Sequence, residues 1–362
     1  MSTRYWGWGW GWICLFCFSC FPAFAQQTSH SLQSDHRITL DVVVANKAGQ
    51  AISGLQQQDF TLLDNKEPQK ILTFHGVEGT ATPDPPVEVI LLVDEVNASF
   101  TNVGIARQEI EKFLRQNSGE LARPVSIVLF SDTGATIGTT PSRDWKALIT
   151  DLSQSKNSPR IIGRAQGVYG AVDRFQLSLH TLGQLAEYET TRPGRKLVVW
   201  ISPGWPLLSG PNIDLSSKDQ QEFFRSVVAL SDRLRKARIT LYSVDPLGTA
   251  DAVGVRTSYY KAFLKGVRAA RQVQAGNLAL QVLADQSGGR VLNSSNDVAG
   301  EIATCIADAN AFYVLSFDGV EGDGPNEYHM LEVKIDKPGL TARTRSGYYA
   351  QPEHPSHTTS NQ

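Results

Sequence analysis

The sequence predicts an α/β protein: a doubly wound, mostly parallel sheet inserted in a small β-sandwich that is split between the two ends of the chain. Three observations carry this. Apolar runs alternate with helix-period segments between residues 87 and 297. Short strands with period-two alternation flank that region on both sides. Neither flank has enough strands to bury a core alone, so the economical solution is one sandwich built from both.

The elements follow in order. ITLDVVVANKAGQAI alternates from residue 38 and turns at Asn46–Gly49. DFTLLDNKEPQKILTFHGV supplies two more strands around Asp64–Pro68. Together these form the first sandwich part, 36–79. A Pro-rich linker, 80–86, leads into the α/β region. There the buried-strand candidates are VEVILLVD (87–94), PVSIVLFSD (124–132), KLVVWIS (196–202), ITLYSVD (239–245) and GRVLNSS (289–295). Each is a short apolar run, as expected of a parallel strand covered on both faces. Between them, VGIARQEIEKFLRQN, YGAVDRFQLSLHTLGQLAEYE, QQEFFRSVVALSDRLRKA and NLALQVLADQSG repeat apolar residues every three or four positions, which is helix periodicity. Residues 298–350 read as a helix and then three strands, AFYVLSFDG, YHMLEVKIDKP and TARTRSGYYA, completing the sandwich. The polar tail 351–362 reads as disordered.

The ends and the composition limit the function classes. Met1–Ala25 has one charge (Arg4), an aromatic-rich apolar stretch and Ala23-Phe24-Ala25, the pattern of a secretory signal peptide cleaved near Ala25. A flexible leader, 26–35, follows. The expectation is export to the periplasm, the cell surface or the medium, with no transmembrane span in the mature chain. Cys14, Cys17 and Cys20 fall in the signal stretch, leaving Cys305 as a buried apolar residue without a disulfide partner. The net charge of −2 over 362 residues offers no basic excess for nucleic acid.

Taken together, VVVANKAGQAISGLQQQDFTLLDNKEPQKILTF, VILLVDEVNASF, RPGRKLVVWISPG, ITLYSVDP, LADQSGGRVLN and FYVLSFDG through GLTARTRSGYYA are similar, in order and spacing, to the von Willebrand factor A-type proteins, specifically the secreted VWFA-related group of Acidobacteria type. The resemblance spans about residues 38 to 350. It implies an exported protein and a parallel-sheet domain that binds partners at the carboxyl edge of its strands. Relatives with a working metal-dependent adhesion site carry D-x-S-x-S after the first strand, a Thr opening a middle helix and an Asp after the fourth strand. Here only Asp94 matches. Val96 and Ala98 stand at the two Ser positions, Gln166-Gly167-Val168 opens the helix, and Ser202-Pro203-Gly204 follows the fourth strand.

The resemblance therefore implies a degenerate metal site. Its candidate ligands are Asp94, Asn97 and Ser99, with Asp132, Ser202 and Asp245 as helpers at the ends of other strands. The ion to consider is Mg²⁺, or Mn²⁺ or Ca²⁺, since hard cations take oxygen ligands. The competing reading is that each acid caps its own loop through backbone N–H groups. Trp205, Leu207 and Leu208, in a long Pro- and Gly-rich loop beside the crevice, are candidate partner-binding anchors. SYYKAFLKGVRAARQVQ, within 246–276, reads as a basic amphipathic helix.

Enzyme motifs are not found. Ser202 lacks the first Gly of G-x-S-x-G, and Pro203 removes the N–H an oxyanion hole would use. The histidines (His30, His36, His75, His180, His329, His354, His357) are scattered, without metal spacing. The expectation is a non-enzymatic module binding a protein or envelope polymer. The alternatives are an inert spacer of the envelope and, third, a hydrolase.

Overall fold

Four strands open the described chain: β1 (Arg37–Asn46), β2 (Phe60–Asp64), β3 (Glu67–Gln69) and β4 (Thr73–Glu78). The computed structural model describes residues 36–79, 86–116, 120–153, 162, 167–206, 215–248 and 256–352. The expected signal peptide, the leader and nearly all of the linker and tail lie outside them. β2 and β3 form a hairpin through Asn65 and Lys66, at φ +50° and +76°. Two left-handed residues make the tight turn whose twist matches paired strands. The stretch read as two strands from its sequence thus holds three, and Pro68 is tolerated because β3 is an edge strand.

The central layer comprises β5 (Val87–Asp94), α1 (Phe100–Gln116), β6 (Val125–Ser131), β7 (Gly134–Ala135), α2 (Trp145–Ser153), α3 (Gly167–Thr190), β8 (Arg195–Ile201), α4 (Ser217–Lys236), β9 (Ile239–Val244), α5 (Arg256–Tyr259), α6 (Leu280–Gln286), β10 (Val291–Leu292) and α7 (Val298–Ala307). Its sheet has the order β10-β9-β8-β5-β6-β7, parallel except for the short edge strand β7. Every residue of β5, β8 and β9 is buried, because helices cover both faces. Val89, Leu91 and Val93 pack with α1, α2 and α7; Ile90, Leu92, Val198 and Trp200 pack with α3, α4 and α6. Strand alternation produces this division.

The chain closes with β11 (Ala311–Asp318), β12 (Glu327–Ile335), β13 (Leu340–Arg343) and β14 (Gly347–Ala350). They join the amino-terminal strands in two antiparallel sheets, β13-β1-β11-β4 and β14-β12-β2-β3. Each sheet therefore draws strands from both ends. Leu40, Val42, Phe60, Leu62, Tyr313, Leu315, Phe317 and Leu331 form the core between them. At one end of that core Asp64 accepts from His329 Nδ1 (2.9 Å) and from the Tyr348 hydroxyl (2.7 Å).

Three boundaries differ from expectation. α7 packs Val298, Ala299, Ile302 and Cys305 onto the parallel sheet, so that layer extends past 297 to Ala307. TARTRSGYYA is two strands in different sheets, β13 beside β1 and β14 beside β12. Residues 256–278 form α5 and a series of 3₁₀ turns rather than one amphipathic helix. Val267, Val273 and Leu278 each anchor separately in the core, and Gly266 lies so close to the Tyr328 ring that a Cβ there would overlap it.

The sandwich and the parallel sheet meet at a polar seam. Asp308, just after α7, takes the Tyr242 hydroxyl (2.8 Å), Arg290 and Arg343 on its carboxylate. Arg195 donates to the Asp308 carbonyl (2.8 Å) and stacks over Phe312. β8, β9, α7 and β13 are thus tied to one residue, Asp308.

Glu301, buried in α7, reads out this packing through pH. Burial, with Asp245 and Asp297 nearby, pushes its carboxyl up from 4.5 to about 7. The unfolded chain therefore loses this proton first, and the group lowers stability as pH rises from about 4.5 to 7. Glu301→Gln should flatten that decline and melt higher than the parent at pH 7.5 but not at pH 4.5, as a pH series of thermal melts would show.

Candidate functional site

The sheet order places a switch point at β5. Its neighbour β6 is reached by a connection over one face, and β8 is reached over the other. In doubly wound sheets the strand ends part at that point and leave a crevice at their carboxyl edge. Asp94 closes β5 and Ser202 follows β8, so both stand at that crevice.

Alternation sets the direction of these side chains. Asp94 follows Ile90 and Leu92, and Ser202 follows Val198 and Trp200, so all turn towards α3. Asp94 is 1% exposed. Its Oδ1 accepts from the Asn97 backbone N–H (2.8 Å). Its Oδ2 accepts from Asn97 Nδ2 (2.9 Å), Trp200 Nε1 (2.9 Å) and the Ser202 hydroxyl (2.8 Å). Asn97 Nδ2 also reaches the Ser178 hydroxyl on α3 (2.9 Å), and Ser178 in turn donates to the Arg174 carbonyl (2.8 Å). Burial pushes the Asp94 carboxyl above the usual carboxylate range, and the donors from Asn97, Trp200 and Ser202 draw it part of the way back.

These residues do not suit a hard cation. Three donors already converge on the oxygen that faces the crevice, and one is an indole N–H, which has no lone pair to offer a metal. The other candidates are engaged in their own loops. The Ser99 hydroxyl accepts from the Asn102 N–H (3.1 Å) at the start of α1. Asp132 Oδ2 accepts from the Ile162 N–H (2.7 Å), and Asp245 Oδ1 accepts from the Leu247 N–H (2.9 Å). Among the described residues no group of three or more His, Cys, Asp or Glu side chains is arranged to hold a metal. The structure brings Asp94, Asn97 and Ser202 together and leaves Ser99, Asp132 and Asp245 outside that network. The Ser202 hydroxyl spends its proton on Asp94 and accepts from the Gly204 N–H (3.1 Å), so it is a buried structural group.

Trp205 corrects the sequence reading. It was expected as an exposed anchor, but it is 3% exposed. Gly204, at φ +98° and tight against Gln281, turns the chain back. The Trp205 ring then packs edge-on against Trp200 (5.3 Å) and Phe175 (6.4 Å). It roofs the crevice from inside. Leu207 and Leu208 lie outside the described residues.

Exposed apolar groups sit at the same edge at other positions. Phe100, opening α1, is 74% exposed; Val168 and Tyr169, opening α3, are 68% and 83% exposed. α3 leads directly into β8, so its first turn stands at the carboxyl edge. Its 24 residues run about 36 Å. The seven residues of β8 cover about 23 Å. The helix is therefore longer than the strand it leads into and overhangs its end, and its inward stripe (Phe175, Leu182, Leu185) continues in sequence to Val168. The helix length against the strand length was the signal available in the sequence.

No family model matches the chain, and no curated protein matches it. Among the solved structures similar to it are two of low identity. A von Willebrand factor type A protein from Catenulispora acidiphila shares 10% identity, with 88% of this chain and 75% of that chain covered, at a TM-score of 0.34. A mutant of the PilB minor pilin from Streptococcus sanguinis shares 12% identity, with 62% of this chain and 61% of that chain covered, also at 0.34. This chain thus spans about three fifths of the pilin's length. At such scores neither likeness carries an argument about function, and the architecture stands on the strand order observed here.

The Asp94 network makes a direct prediction. Asp94→Ala would strand the Trp200 N–H, the Ser202 hydroxyl and the Asn97 amide in a buried site. It should cost about 2–4 kcal/mol in urea unfolding. Asp94→Asn keeps one acceptor oxygen and should cost less.

Proposed function

We propose that the chain is an exported, non-enzymatic binding module that captures a protein partner at the carboxyl edge of its parallel sheet, without a metal ion. One observation carries the reading: large apolar side chains, foremost Tyr169 with Val168, stand exposed at the overhanging start of α3 beside the switch-point crevice. Exposed aromatic anchors of this kind account for much of the affinity in many protein interfaces. The leader at 1–25 supports work outside the cytoplasm, and among the described residues no helix is long and apolar enough to cross a membrane.

Metal independence is supported by the donors on Asp94, three on Oδ2 and one on Oδ1. A metal-bridged partner needs an ion with an open coordination position, and here the indole of Trp200 and the amide of Asn97 stand in the ion's place. A non-enzymatic role is supported by Ser202, whose hydroxyl is fixed as a donor to a buried acid.

A second reading, an inert spacer of the envelope, is favoured by the same filled crevice. Trp205 and Trp200 fill it from within, ring edge against ring face.

Capture of envelope proteins by the immobilised full chain, compared with a Val168→Ser/Tyr169→Ser double variant, separates the two. Binding should fall tenfold or more in the variant and be unchanged by EDTA. Capture that survives the double substitution would place the contact elsewhere. Capture abolished by EDTA would restore the metal-dependent site.

A further inference from the structure

The seam between the sandwich and the parallel sheet holds a small, partly open cavity. Its walls come from β1 (Thr39, Asp41), β9 (Thr240), the end of α4 and the residue pair after it (Arg235, Arg238), and the link between β13 and β14 (Arg345). Space for the centre of a water-sized group amounts to about 10 Å³, enough for roughly one such group.

The charges in these walls do not balance. Arg238 pairs with Asp41, and Arg235 pairs with Asp232, which also holds Lys236. Arg345 is 8% exposed, and its guanidinium makes no hydrogen bond or ion pair with a described residue. Three guanidiniums thus share one lining carboxylate, and that carboxylate is already engaged. Arg238 reaches this place from a backbone at φ +52°, a region that costs free energy for any residue other than glycine.

A buried cation without a counter-charge is expensive, and a neighbouring cation makes it more so. Burial, with Arg235 alongside, draws the Arg345 guanidinium down from 12.5 to about 10 even though Asp41 and Asp232 oppose that change. An anion in the cavity would reverse both effects. A single halide fits the space. The Thr39 and Thr240 hydroxyls supply neutral wall groups of the kind that complete the shell of a small anion.

We propose that this cavity is a binding site for a small monatomic anion of the chloride class, held chiefly by Arg345 and Arg235, which clamps the sandwich onto the parallel sheet. Because sandwich and sheet contribute opposite walls, the anion binds the folded chain and not the unfolded one, and must raise its melting temperature by mass action.

The experiment is a series of thermal melts of the full chain at constant sodium and ionic strength, with gluconate replaced stepwise by chloride. The melting temperature should rise by about 2–5 °C and saturate, as one site on a chain of this length would give. Bromide should substitute for chloride, and Arg345→Met should abolish the dependence. Should Arg345→Met not fold, ³⁵Cl NMR on the unaltered chain gives the readout: excess broadening that bromide displaces and gluconate does not. Equal melting in chloride and gluconate without excess broadening would overturn the proposal. So would a chloride effect that persists in Arg345→Met.

Discussion

A single buried carboxylate organises the centre of this molecule. Asp94 ends the middle strand at the point where the sheet parts. An acid there must either hold an ion or find donors, because an unpartnered buried charge is too costly to keep. This chain supplies donors. Asn97 comes from the loop after β5, Trp200 and Ser202 come from β8, and Asn97 passes the connection on to Ser178 of α3. The crevice is thereby joined across two strands and a helix. Trp205 packs edge-on against Trp200, whose ring is already fixed by its N–H.

The same logic recurs at the seam. Asp308 gathers cations and a phenol from four elements, and Asp41 takes Arg238 from the turn after α4. Charged groups do there what apolar packing does elsewhere: they fix which surface of the sandwich meets which surface of the sheet. Such pairs contribute orientation more than net stability, since their desolvation offsets much of their attraction.

Much of the architecture was legible in the sequence, and the reasons are local. β5, β8 and β9 announce themselves as continuous apolar runs, and their observed ends fall within one residue of the reading. α1, α3 and α4 carry unbroken helical stripes. The candidate site was legible at Asp94, Asn97 and Ser202, which stand at or just after strand ends, but not at Trp200 and Ser178, which join the network from within a strand and a helix. Nothing in the residues around Trp205 shows that Gly204 turns the ring inward, because the surfaces it meets, Phe175 and Trp200, come from separate elements. The segment 256–278 has helical composition, but its core contacts lie at Val267, Val273 and Leu278, a spacing that serves three separate anchors rather than one stripe. TARTRSGYYA gave no sign of changing sheets, since both halves alternate equally well.

The pairing of Arg37 with Asp318 joins residues at opposite ends of the chain. Synthesis proceeds from the amino end, so β1 to β4 emerge long before β11 and β12. About 230 residues separate β4 from β11, which at ordinary translation rates is on the order of ten to fifty seconds. Throughout that interval β1 and β4 have no permanent partners and the β2–β3 hairpin lacks β12, so their open edges are vulnerable to pairing with another copy. A nascent chain of this design has reason to stay unfolded or escorted until residues 311–350 appear, and a premature stop near residue 310 would leave an adhesive fragment rather than a smaller working protein.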